Sequence, residues 1–145
     1  MKDLKDPILV TGCAGFIGFH LCKKLLTLNH LILGIDNLNN YYDQNLKKDR
    51  LEELNKLSCK WEFIKCDLCD NQKLKQIFLK YKPKIVVHLA AQAGVRYSII
   101  NPNAYINSNI VGFSIFTVVK YCINCLNMVF NIQPISDIIT IPVNW

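Results

Sequence analysis

The sequence predicts an α/β fold: a parallel β-sheet with helices on both faces. Short apolar runs alternate with amphipathic or charged stretches of helical length, the pattern of strand–helix–strand units joined by right-handed crossovers. Three glycines, Gly12, Gly15 and Gly18, recur every third residue between the first apolar run and the first amphipathic stretch. A strand that turns sharply into a helix needs residues without a Cβ at such points. The third observation is an acid, Asp36, at the end of the second apolar run and 18 residues after Gly18.

The elements follow in order. Ile8–Thr11 reads as the first strand, and a helix runs from about Gly15 to Leu28. Leu31–Asp36 is the second strand, and the loop Asn37–Asp43 leads to a charged helix at about Asn45–Leu57. Trp61–Lys65 is the third strand; a helix at about Gln72–Tyr81 is stopped by Pro83. Ile85–Leu89 is a continuous apolar run, as expected of a parallel strand covered on both faces. Asn101-Pro102 opens a long helix through about Leu126, and Met128–Phe130 is read as a short fifth strand.

Composition narrows the class. With 145 residues, 51% of them hydrophobic and 19% charged, the chain makes one globular domain with a real core. Its formal charge of +6 is spread over Lys2 to Lys84 among ten of the eleven acids, without an aromatic-flanked basic stripe. Solvated helix faces account for that charge, and a nucleic-acid partner is not expected. Between Ile85 and Trp145 only Arg96, Lys120 and Asp137 are charged, so that half is expected to be buried or to face a partner. The window Ala104 to Leu126 is interrupted by Asn107, Asn109, Lys120 and Asn124, which favours a buried or interface helix over a membrane span.

Seven cysteines, an odd number, fit free thiols in a reducing cytosol. The pairs Cys66/Cys69 and Cys122/Cys125 are poor zinc or redox candidates, so no metal is expected. The first pair brackets Asp67-Leu68 at a strand end; the second lies one turn apart in an apolar helix. Asp3 and Asp6, without a small-residue cleavage site, argue against a signal peptide and for a cytoplasmic location.

The glycine turn at the head of a helix offers free N–H groups and a positive dipole end, which suit a pyrophosphate. Asp36 stands where a carboxylate accepts hydrogen bonds from ribose hydroxyls, and the absence of an arginine directly after it favours NAD over NADP. Asp67 and Leu68 close the third strand, where a carboxylate can take the adenine amino group and a leucine can pack on the ring; a plain helix-start acid is the alternative. Leu89, Ala90 and Ala91 close the fourth strand with small residues, for close backbone approach to a cofactor or for packing alone. Asn109, among apolar neighbours, is a cofactor contact or a structural hydrogen bonder to that loop. His88 reads as a packed core histidine.

At these residues the chain resembles the extended short-chain dehydrogenases/reductases, the NAD-dependent epimerase/dehydratase family with its Rossmann-like fold. Within it the chain is most similar to the UDP-glucuronate 4-epimerase type of nucleotide-sugar epimerase. The match is carried by Val10–His20, Asp36–Asp43, Asp67-Leu68, His88–Ser98, Asn101-Pro102, Tyr105, Asn107–Asn109 and Gly112. The Asn40–Asp43 and Gln92–Ser98 blocks are more specific than the glycines. The resemblance implies that Gly12, Gly15, Phe16 and Ile17, with Gly18 completing the turn, wrap the NAD pyrophosphate. It puts Asp36 on the ribose, Asn37 and Asn40 near the adenosine, and Asp67 and Leu68 about the adenine. Leu89, Ala90, Ala91 and Ala93 would line the nicotinamide side, supported by Asn109. Arg96 would meet an acidic nucleotide-sugar, its alternative being a surface arginine on a neighbouring carbonyl.

The implied reaction passes through a 4-keto sugar and needs a tyrosine base with a lysine four residues on. None of the six tyrosines has one, so no catalytic residue is assigned. The resemblance ends near Phe130. Residues 1–130 are therefore expected to form an incomplete NAD-binding domain, truncated after about strand five, and residues 131–145 a divergent apolar tail. Three readings follow: an epimerase portion inactive alone, a fragment of a related dehydratase or decarboxylase, or a non-catalytic nucleotide-binding or dimerising module. The last would use the Pro102–Leu126 helix, which resembles the family's dimer helix and implies a homo-oligomer.

Overall fold

The computed structural model describes residues 6–129 and 137–140. Its strands are β1 (Ile8–Thr11), β2 (Ile32–Asp36), β3 (Trp61–Lys65), β4 (Ile85–His88) and β5 (Asp137–Thr140). All pair in parallel, in the order β3-β2-β1-β4-β5. The chain builds outward from β1 to β2 and β3, then crosses back to place β4 on the other side of β1. That reversal leaves a crevice at the carboxyl ends of β1 and β4, where open α/β sheets bind ligands.

Period-two alternation sorts each strand's side chains between two cores. Leu9, Leu33, Ile35 and Val86 face helices α3 (Asn71–Tyr81) and α6 (Phe113–Val129), which contribute Leu74, Phe78, Phe116 and Val119. Val10, Ile32, Trp61 and Val87 face α1 (Phe16–Thr27) and α2 (Gln44–Leu57), which contribute Phe19, Cys22, Leu51 and Leu54. Both faces are covered, so the central strands β1, β2 and β4 are apolar up to their last residues, Thr11, Asp36 and His88.

Local signals place the ends. The Asp43 carboxylate caps α2 by accepting from Asn45 N (2.8 Å), and Asp70 caps α3 by accepting from Lys73 N (3.0 Å). Lys82, left-handed at φ 46°, closes α3 with its N–H on the Phe78 carbonyl (3.0 Å), one residue before Pro83.

The structure departs from the sequence reading beyond β4. A helix, α4 (Val95–Ile100), precedes the expected long one; its six residues make fewer than two turns, too short a stretch for the apolar spacing to repeat. The long helix runs on to Val129 in three stretches: α5 (Pro102–Tyr105), a π-helical segment (Ile106–Gly112) and α6. Met128 and Val129 are thus helical, not a strand; a three-residue apolar run cannot be told from a helix end by periodicity. Phe130 lies outside the described residues, as do 131–136 and 141–145 of the expected tail. The fifth strand is Asp137–Thr140, at the sheet edge, in register Ile85↔Asp137 through His88↔Thr140.

The charge-poor half is far from buried where it is described. Ile99 and Ile100 are about four-fifths exposed, and Ile110 and Val118 also face outward. By length and composition alone, Pro102–Ile123 would suffice to cross a membrane, with mean hydropathy 1.3. Its inner face is spent on the protein, with Phe116 against Phe78 at 5.5 Å between ring centres.

Candidate functional site

The glycine turn leads from β1 into α1 and is pinned to β2. Gly12 N donates to the Ile35 carbonyl at 2.7 Å, and Gly15 N to the Gly12 carbonyl at 3.0 Å. Gly12 is left-handed at φ +69°, and a Cβ there would stand 2.9 Å from Ala90 N. Gly18 is the tighter position. A Cβ on it would overlap the Gly12 carbonyl oxygen and reach 2.8 Å from its carbon. Backbone is the obstacle, so rotamer changes give no relief. Gly18→Ala gains about 1 kcal/mol of helix propensity but loses about 3 kcal/mol to overpacking. A net destabilisation of about 2 kcal/mol is expected, read as a lowered urea midpoint; an unchanged midpoint would show that the turn gives way freely.

No side chain caps α1, and its first turn holds no acid. Its leading N–H groups therefore remain for an anion, past the exposed side chains of Phe16 (67%) and Ile17 (51%). Arg50, from α2, donates to the Ala14 carbonyl at 3.0 Å and lies 6.0 Å from the Phe16 ring centre.

At the end of β2, Asp36 is 8% exposed. Its oxygens accept from Leu38 N (2.8 Å) and Ala14 N (3.2 Å), tying the loop after β2 to the glycine turn. Lys47, 6% exposed, stands 3.8 Å from the Asp36 carboxylate and donates to Asn39 Oδ1 at 2.9 Å and the Asn39 carbonyl at 3.2 Å. Beside it, Asn37 Nδ2 donates to Asp67 at 2.9 Å, and Cys69 N to the other Asp67 oxygen at 2.9 Å. Burial alone raises the Asp67 carboxyl. The bonds from the Cys69 amide, Asn37 and the Cys69 thiol outweigh it and hold Asp67 below the usual carboxylate range.

The far wall follows β4. Thr11 Oγ1 accepts from Leu89 N and Ala90 N, each at 3.1 Å, and lies 2.8 Å from His88 Nδ1. Asn109, in the π-helical segment, receives Gln92 N at 2.7 Å on Oδ1 and donates Nδ2 to the Gln92 carbonyl at 3.0 Å. Of its two readings, the structural one describes this contact: the amide clamps the strand-four loop.

One cleft collects much of the expected set. Gly12, Gly15, Asp36, Asn37, Asp67, Leu68, Leu89, Ala90 and Ala91 line it. Phe16 and Ile17 flank it at the start of α1, and Gly18 is buried beneath the turn. Asn40 and Arg96 are exposed, and with Ala93 and Asn109 they stand outside the lining. Tyr41, Tyr42, Lys47, Cys66, Gln92 and Ser108 also line it, although the sequence assigns none of them a cofactor contact. Lys47 was detectable: with Leu51 and Leu54 it falls at i, i+4 and i+7 on the buried face of α2.

Tyrosine–lysine contact exists, though not in the cleft. Lys80 donates to Tyr81 Oη at 2.6 Å, and Tyr81 bonds Glu62 near the start of β3, at the other end of the sheet.

Comparison with known proteins places this architecture. The family profile described as GDP-mannose 4,6 dehydratase matches residues 9–130. The chain belongs to this family. Among curated relatives, Protein CapI of Staphylococcus aureus is 51% identical over 106 residues, covering 73% of this chain and 31% of that protein. The UDP-glucuronate 4-epimerase of Thermodesulfobacterium geofontis is 50% identical over 104 residues, covering 72% and 32%. The chain thus spans about a third of the length of the curated relatives it matches. Among solved structures, UDP-glucuronic acid 4-epimerase from Bacillus cereus, in complex with UDP-glucuronic acid and NAD, superposes with a TM-score of 0.68 at 33% identity, covering 78% of this chain and 35% of that one. The UDP-Glc/GlcNAc 4-epimerase of Campylobacter jejuni gives 0.74 at 29% identity, covering 93% and 36%.

Proposed function

We propose that this member of the family binds NAD in the cleft between β1 and β4, as the cofactor-binding portion of a UDP-glucuronate 4-epimerase-like protein. The observation that carries the reading is convergence. The glycine turn, the uncapped start of α1, the Asp36 carboxylate and the Asp67–Leu68 strand end open onto one cleft. The cradle fits the group, because the space a Cβ would fill at Gly12 and Gly18 keeps the turn tight enough for backbone N–H groups to meet a pyrophosphate. Gly12, Gly15, Phe16, Ile17 and Gly18 hold that part. Asp36 takes the ribose hydroxyls on the lone pairs left by Leu38 and Ala14. Asn37, Asn40, Asp67 and Leu68 serve the adenosine, and Leu89, Ala90, Ala91 and Ala93 the nicotinamide side, with Asn109 fixing their loop. Asp36, with Lys47 3.8 Å from its carboxylate, sets a negative charge where NADP would carry a phosphate.

Bound NAD would supply hydride acceptance and return at C4 of a nucleotide-sugar. The cleft contains no tyrosine with a lysine four residues on to move the hydroxyl proton, so the chain is inactive alone. Arg96 is the residue for an acidic sugar. Residues 1–130 are the cofactor domain, and the protein is cytoplasmic. A second reading, a dimerising module, draws on the exposed Ile99, Ile100, Ile106 and Ile110 along α4 to the π-helical segment.

Calorimetry decides the first point. NAD is expected to bind and NADP to bind more weakly; an intact fold that gives no heat with NAD would defeat the assignment. UDP-glucuronate with NAD is expected to give no C4 epimer.

A further inference from the structure

Three polar atoms converge on the Thr11 hydroxyl: Leu89 N at 3.1 Å, Ala90 N at 3.1 Å and His88 Nδ1 at 2.8 Å. Backbone N–H groups only donate, so the hydroxyl oxygen must accept from both. Its two lone pairs are then occupied, and its single hydrogen is left for the imidazole. We propose that His88 is a positioning residue for the cleft: its bare Nδ1 accepts the Thr11 proton and so commits the Thr11 oxygen to the two amides that shape the Leu89–Ala90 wall. The inference rests on the NAD reading only for what the wall touches.

The opposite tautomer does not fit. A proton on Nδ1 would bring a third donor to an oxygen with two lone pairs and leave the Thr11 hydrogen without an acceptor. One amide would be released. Packing fixes the ring in place: Phe116 stacks on it at 4.9 Å and 21°, and Phe113 lies at 5.4 Å. The residue is 7% exposed, and burial favours the uncharged ring, which leaves the proton on Nε2. The wall matters to the turn opposite. Ala90 N is the atom that a Cβ on Gly12 would meet first, so the wall and the glycine turn touch where a cofactor would lie between strand ends.

The test needs no ligand at its first step. In the full chain with nitrogen-15-labelled histidine, the His88 ring is expected to show an unprotonated Nδ1 and a protonated Nε2 at neutral pH. A protonated Nδ1 would overturn the proposal outright. The second step compares Thr11→Val, His88→Phe, which keeps the stacking, and the double variant. Amide exchange at Leu89 and Ala90 should quicken about tenfold in each single variant, the equivalent of one hydrogen bond, and no further in the double. Additive effects would mean that His88 acts independently of Thr11, and the proposal fails. NAD titration of the same four proteins should show the same non-additive loss. If the parent chain bound no NAD while tautomer and exchange came out as expected, the cofactor reading alone would fall and His88 would still set the wall.

Discussion

Replacing Asp36 with alanine is expected to destabilise the fold by about 4 kcal/mol and to abolish NAD binding. The estimate follows from what the carboxylate does before any ligand arrives. It accepts the N–H groups of Ala14 and Leu38 and faces the buried ammonium of Lys47. Removing one partner of a buried ion pair costs about 3–5 kcal/mol, because the remaining charge stays out of water. Lys47 keeps its two bonds to Asn39, which softens the loss, while two amides lose their acceptor and add to it. Asp36→Asn retains one acceptor oxygen and should cost about half as much. Urea midpoints of the parent and both variants check the ordering. Equal midpoints for parent and Asp36→Ala would show that the carboxylate serves only a ligand.

Acid should act through a second buried group. Burial pushes the His88 imidazole down from 6.5 to about 4. The unfolded chain takes up the proton as pH falls through 6.5, whereas the folded chain resists until about 4. This contribution to stability is therefore intact above 6.5, declines between 6.5 and 4, and is fully lost below, an effect of about 3 kcal/mol. His88→Phe removes the titrating ring but not the stack on Phe116. The difference in unfolding free energy between parent and variant should change across that window. A constant difference would mean that His88 is not held neutral.

Strands β1, β2 and β4 were legible because each is a short apolar run bounded by turn residues, and β3 because Trp61, Phe63 and Ile64 stand between turn residues and a helical stretch. Asp36 was legible because a carboxylate ends such a run at a telling distance from Gly18. What escaped depends on tertiary contact. Lys47 is the exception: its spacing to Leu51 and Leu54 marks the face it shares, although by charge it looks like one more cation on a charged helix. Thr11 and His88 are 77 residues apart, and only the β1–β4 register sets them side by side. Asp137–Thr140 stands between Pro134 and Pro142, which argue against a regular strand in that stretch, and gains that identity by pairing with β4 at the sheet edge.

The continuous helix from α5 through the π-helical segment to α6 has a mechanical consequence. Asn109 grips the loop after β4 at Gln92, while Phe113 and Phe116 hold the strand's last residue, His88. Both handles of the five-residue stretch 88–92 thus belong to one rod, itself anchored on Phe78 of α3. The stretch has little freedom to flex between its ends. A shift of that helix is therefore expected to carry the stretch with it, so that pressure on the helix's exposed outer side would reach the Leu89–Ala90 wall of the cleft.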